Sequence, residues 1–267
     1  MRLIDTHCHL DFDAYDGIRD EIVREAAEAG VARIINPGVD LARSHAAIQL
    51  AATYPGVYAA VGIHPNSTAD FHESALADLR ALAVHPKVVA IGEIGLDYHW
   101  NDSPKAQQQR AFEAQLALAA DLGLPVIIHN REASDDVLDI LAAWTPSLPD
   151  ALKDRPGVLH SFSAPQSAAE RGLALRFYLG FTGPVTFKKA DDLRRIAARI
   201  PLDRILVETD GPFLTPEPRR GRWPNRPAYV RYIAERLAAL HTLPEDAFAA
   251  LTTANAERLF ALPPLED

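Results

Sequence analysis

Eight short runs of apolar, often β-branched residues recur along the chain, at residues 3–9, 33–37, 57–64, 88–96, 125–130, 157–161, 177–183 and 205–209. Most are continuous rather than alternating with polar residues, the pattern of parallel strands covered on their outer face. Intervals between them carry helical spacing. Ile18, Ile22, Val23, Ala26 and Ala27 share one helix face, and Gly30 supplies a stop. Ser103-Pro104 opens another helix, with Phe112, Leu116, Ala119 and Ala120 on its buried side and Gly123 at its end. Leu76, Leu79, Leu82 and Ala83 mark a third, Val137, Leu138, Ile140 and Leu141 a fourth, and Leu193, Ile196 and Ala197 a later one. Residues 227–240 and 244–260 read as closing helices on the outside. In 267 residues this repeat fits an α/β fold, a (β/α)8 TIM barrel forming a single domain over residues 1–267, better than a doubly wound open sheet. The first run lacks the G-x-G-x-x-G that a dinucleotide-binding sheet places there. Residues 144–156, with Pro146, Pro149 and Pro156, read as a long surface loop.

Charge narrows the function classes. Lys and Arg number 27 against 36 Asp and Glu, a formal net charge of −9, which disfavours non-specific coating of nucleic acid but permits a local basic loop. The lone Cys8 excludes an internal disulfide. The first residues carry no apolar signal-like segment, and no run approaches the ~18 apolar residues of a membrane span. A cytoplasmic, membrane-free protein with no obligate protein partner is expected.

The chemistry gathers at the ends of the runs. In Thr6-His7-Cys8-His9, strand alternation puts His7 and His9 on one side, about 6–7 Å apart at Cα and able to converge on one ion, with Asp5 on the same side and Cys8 on the other. His64 ends the third run, Glu93 lies in the fourth with Asp97 just after it, His129 is at the end of the fifth and His160 of the sixth, and Glu208 lies in the eighth with Asp210 just after it. A buried His or carboxylate in an apolar strand is costly unless paired or metal-bound. Finding one at five or six strand ends points to the C-terminal rim, where barrel active sites form. Four histidines with two carboxylates exceed the three ligands of one catalytic zinc and suit a pair of divalent cations, zinc, magnesium, manganese or nickel, bridged by a Glu at ~3.5–4 Å. His45, His72, His85, His99 and His241 fall in helices or loops and read as exposed.

These motifs resemble the TatD family of metal-dependent deoxyribonucleases in the amidohydrolase superfamily. The likeness runs from Ile4-Asp5-Thr6-His7-Cys8-His9-Leu10 through the segments at 61–65, 90–98, 125–133 and 207–214 to Thr252-Thr253-Ala254-Asn255. It implies a first metal held by His7, His9 and Asp210, a second by His129 and His160, Glu93 bridging both, and Asp210 taking a proton from the attacking water. One departure is His160-Ser161-Phe162-Ser163-Ala164, where the family carries His-Cys-Phe-Ser-Gly. The implied activity is exonuclease-type hydrolysis of DNA. An aminoacyl-ester hydrolase, such as a D-aminoacyl-tRNA deacylase, is the alternative, because metal-activated water does not distinguish phosphorus from carbon electrophiles. A silent metal-binding scaffold is disfavoured by the intact ligand set.

Substrate contacts are expected from His64 and Arg131 at the rim, and from Arg219 and Arg220 in the loop 216–227. That loop holds four arginines, Arg219, Arg220, Arg222 and Arg226, against Glu217, together with Trp223, which could stack on an unpaired base.

Overall fold

The structure, a computed structural model, describes residues 1–265. Strands β1 (Leu3–Asp5), β2 (Val31–Pro37), β3 (Val57–Val61), β4 (Val88–Asp97), β5 (Val126–Arg131), β6 (Gly157–Leu159), β7 (Tyr178–Phe181) and β8 (Ile205–Val207) pair in parallel in sequence order. The ring closes just beyond β1 and β8: Thr6 N donates to Val207 O at 3.2 Å, Asp210 N to His7 O at 2.8 Å and His9 N to Gly211 O at 2.8 Å. The expected barrel is present.

One residue from each strand, Ile4, Ile35, Ala60, Ala90, Ile127, Val158, Tyr178 and Leu206, fills the lumen. Its floor, at the N-terminal ends of the strands, is sealed by the last helix, whose Ala256, Leu259 and Phe260 join this cluster. Asn255 of that helix donates to the carbonyls of Leu202 and Ile205 at the start of β8. A packed lumen closed below leaves only the C-terminal rim open for a site.

Outside the ring lie α1 (Arg19–Glu28), α2 (Leu41–Thr53), α3 (Ser74–Ala83), α4 (Lys105–Leu122), α5 (Ser134–Trp144), α6 (Asp150–Lys153), α7 (Gln166–Ala174), α8 (Asp191–Ala197), α9 (Val230–Leu240) and α10 (Glu245–Phe260). Helices α2 and α7 bury mainly small residues, Ser44, Ala47 and Ala51 in one and Ala168, Ala169 and Gly172 in the other, so no apolar stripe announced them. Residues 144–156 are not a plain surface loop: they contain α6 and bury Leu148 and Leu152. Ala27, expected on the inner face of α1, is exposed.

Regular alternation does not explain the first strand. Leu3 packs in the outer core and Ile4 in the lumen, so strict alternation would carry Cys8 into the lumen and both histidines away from it. Strand pairing instead stops at Asp5, and Cys8 sits in the outer core against the Tyr15 hydroxyl. Asp5 serves the closure of the ring rather than an imidazole: it accepts from Thr209 N at 2.9 Å and Thr209 Oγ1 at 2.5 Å, and burial pushes its carboxyl up to about 7.

Candidate metal centre

The broken alternation after β1 brings the Nε2 atoms of His7 and His9 to 3.2 Å from each other. Glu93 Oε2 lies 3.3 and 3.6 Å from them, and Asp210 Oδ1 3.8 and 3.7 Å. Donors arranged tetrahedrally around an ion at ~2.0–2.1 Å stand about 3.4 Å apart. The donor set therefore fits a cation: each of the two imidazole nitrogens meets the other and one oxygen of each carboxylate at 3.2–3.8 Å.

The other oxygen of Glu93 serves a second group. His129 Nδ1 is 2.8 Å from Oε1, His64 Nε2 3.7 Å and His160 Nε2 4.0 Å. Three overlapping clusters result, His7/His9/Glu93, His7/His160/Asp210 and His64/Glu93/His129. Glu93 is 2% exposed and touches both sides. His160 Nε2 is nearer Asp210 Oδ1, at 3.6 Å, than Glu93, and His64 stands inside the third cluster beside His129.

Two carboxylates not singled out as site residues in the sequence orient these imidazoles. Glu208 Oε2 accepts from His160 Nδ1 at 2.8 Å, leaving Nε2 turned toward Glu93 and Asp210. Asp97 Oδ2 accepts from His129 Nε2 at 3.0 Å, leaving Nδ1 on Glu93. A carboxylate behind a ligating His fixes its tautomer and raises its basicity. Spacing was the available signal: Asp97 lies four residues after Glu93 and Glu208 two residues before Asp210. Glu208 fits because β7 carries Gly180, where a Cβ would stand 2.2 Å from Glu208 Oε1. The departure at Ser161 leaves this support intact: Ser161 N donates to Glu208 Oε2 at 3.0 Å, and its hydroxyl pairs with Thr182 Oγ1 at 2.7 Å.

Helix α4 fixes the strand ends beneath. Gln108 accepts from Asp97 N at 2.8 Å and donates to Asp97 O at 2.9 Å, while Gln115, two turns on, does the same for Ile63 at 2.7 and 3.0 Å. Both amides are buried on an apolar face, a break in the hydrophobic pattern that signals a backbone clamp.

Burial lowers the His7 imidazole, helped by His160, and burial with the neighbouring His129 takes His64 down to about 3. Burial also opposes charge on His129 and His160, yet their carboxylate partners hold both at about 9. Despite its burial, Glu93 is kept well below the usual carboxylate range, chiefly by His7 and His64. If His129 and His160 ligate a metal they must be neutral, so its uptake at pH 7 should release about two protons, and apparent affinity should rise with pH until about 9. Titration calorimetry in buffers of different ionisation enthalpy measures this release; uptake without protons would contradict it.

The expected substrate residues spread along the rim. Arg131 is exposed and lies over the Trp100 ring, 5.4 Å from its centroid. Arg219 lies 5.9 Å from the Tyr229 ring and Arg220 4.0 Å from Phe187. Arg226 ties the loop to α1 through Glu21 and Glu25, at 3.2 and 2.5 Å. His99 pairs with Glu132 at 2.7 Å.

A parallel eight-stranded barrel whose rim gathers histidines and carboxylates at cation-sharing distance defines a metal-dependent hydrolase. The chain matches the TatD related DNase family over residues 4–261 and belongs to it. It is 43% identical to the metal-dependent hydrolase YabD of Bacillus subtilis, over 97% of this chain and 99% of that one. It is 39% identical to the 3'-5' ssDNA/RNA exonuclease TatD of Erwinia tasmaniensis, over 91% and 94% of the two chains. The crystal structure of YjjV, a TatD homologue of Escherichia coli, superposes with a TM-score of 0.90 at 35% identity, covering 98% and 99%. The protein is accordingly an enzyme that hydrolyses ester bonds with the help of metal ions. Among the described residues no helix is long and apolar enough to cross a membrane.

Proposed function

We propose that this chain is an exonuclease that hydrolyses phosphodiester bonds at the ends of single-stranded DNA or RNA. The observation that carries this reading is Glu93, buried with one oxygen on each of two His-carboxylate groups, in a chain 39% identical to a 3'-5' ssDNA/RNA exonuclease. Two divalent ions bound there supply Lewis acidity toward a phosphate and a water acidified toward neutrality. His7, His9 and Asp210 would hold the first, His129 and His160 the second, and Glu93 both. Asp210, at the solvent side of the centre, takes the proton from the attacking water. In this reading the neutral ring of His64 and the exposed guanidinium of Arg131 contact the scissile phosphate. With nucleic acid as substrate, the cytoplasm is the compartment this reading assigns.

Assaying the metal-loaded protein in parallel on single-stranded DNA, RNA and aminoacyl-tRNA tests the proposal. Release of mononucleotides from the first two is expected; deacylation alone would establish the ester-hydrolase alternative. Arg219 and Arg220 act on the substrate backbone in this reading. The double variant Arg219→Ala, Arg220→Ala should raise KM for DNA and reduce the log–log salt slope by about 0.7 per lost phosphate contact, with metal content unchanged. Salt dependence equal to that of wild type would remove them from the substrate path.

A further inference from the structure

From the ligand His9 a line of aromatic rings leads out to solvent. Phe12 stacks on the His9 ring at 4.5 Å, Phe213 meets Phe12 edge-on at 6.0 Å, and Trp223 meets Phe213 at 5.7 Å. Exposure rises along the line, from 4% at His9 to 43% at Phe213 and 63% at Trp223. Exposing two large rings side by side costs hydrophobic free energy that burial would have recovered. The rings are also held in place. The buried Asn225 donates to Phe213 O at 2.6 Å and to Thr209 O at 2.9 Å, tying the loop that carries Phe213 and Trp223 to the end of β8.

Cations border the same line. Arg43 lies 5.2 Å from the Phe12 ring. Arg220 packs on Phe187 at 4.0 Å, so the loop after β7 that carries the exposed Lys188 and Lys189 meets the loop that carries Arg219, Arg220 and Arg222. Glu217 N donates to Thr186 Oγ1 at 2.9 Å and joins the two loops. A basic patch is thus assembled from two segments of a chain whose net charge is −9. Flat π faces beside fixed positive charge, in contact with a metal-centre ligand, match one occupant: unpaired nucleobases with their phosphates. A protein partner would meet only two rings, hemmed by cations. A duplex would hide its base faces.

We propose that Phe213 and Trp223 form a stacking track for the bases on the retained side of the scissile phosphate, and that Lys188, Lys189 and Arg222 flank it as contacts for the phosphates. The track feeds an unpaired end inward along Phe12 to the centre and reads no sequence, because every base offers a π face. This inference rests on the nuclease reading and adds where the substrate strand lies.

The test uses the metal-loaded protein and a labelled hexathymidylate with phosphorothioate linkages, which resist cleavage. A second probe is the same oligonucleotide with abasic sites at the second and third positions from its end. By fluorescence anisotropy, wild type should bind the intact probe at least about tenfold more tightly than the abasic one. The double variant Phe213→Leu, Trp223→Leu keeps an apolar side chain without a π face at two exposed positions, so its fold is spared, and it should bind both probes within about twofold. Equal binding of the two probes by wild type, or a full preference kept by the variant, overturns the track. If wild type nevertheless degrades single-stranded DNA, the track fails alone. If wild type binds neither probe and degrades no nucleic acid, the nuclease reading fails and the track with it.

Discussion

Glu93→Gln should lower hydrolysis by roughly a hundred- to a thousandfold or more, with the barrel still folded. Both carboxylate oxygens are engaged, Oε2 at 3.3 and 3.6 Å from the His7 and His9 nitrogens and Oε1 at 2.8 Å from His129. An amide offers one acceptor and one donor in their place, so it can serve only one of the two groups. It also removes the negative charge that offsets a pair of cations. Metal content by mass spectrometry should fall along with turnover, while the far-ultraviolet dichroism stays that of wild type. Wild-type turnover with unchanged metal stoichiometry would remove Glu93 from the bridging position.

Asp210→Asn should cost about 10²- to 10⁴-fold in kcat, the usual contribution of a positioned proton acceptor, and little in Tm. The reason for the small stability cost is local. Asp210 has φ of 54°, in the left-handed region, and Asn tolerates that conformation as Asp does. The backbone bond from Asp210 N to His7 O, 2.8 Å long, does not depend on the side chain. Kinetics and thermal melting on one preparation decide the matter. A collapse of melting temperature matching the loss of activity would make Asp210 a structural partner of the histidines instead.

Some of this protein is legible from its residue order. Eight continuous apolar runs cannot leave either face in water, so they demand an outer layer of helices and an inner packed layer, which a closed barrel provides. A barrel of parallel strands in sequence order then delivers His64, His129, His160 and Asp210 to one rim, because every such strand points the same way. Helices α2 and α7 escaped because they pack through Ala, Ser and Gly, whose small side chains leave no periodic signal.

The details of the site belong to the tertiary structure. Alternation along the first strand correctly paired His7 with His9, but their inward aim comes from the end of strand pairing at Asp5 and the bonds that residues 6–9 make across to residues 207–211. Glu208 and Asp97 became supports for His160 and His129 only through pairing between strands. Lys188 and Arg220, 32 positions apart, were brought to one patch when Arg220 packed on Phe187. Sequence by itself determined the barrel and the inventory of its rim, since hydrophobic periodicity and strand direction are local properties of the chain. Which oxygen faces which nitrogen, and where aromatic rings meet cations, was decided by contacts between segments distant in sequence.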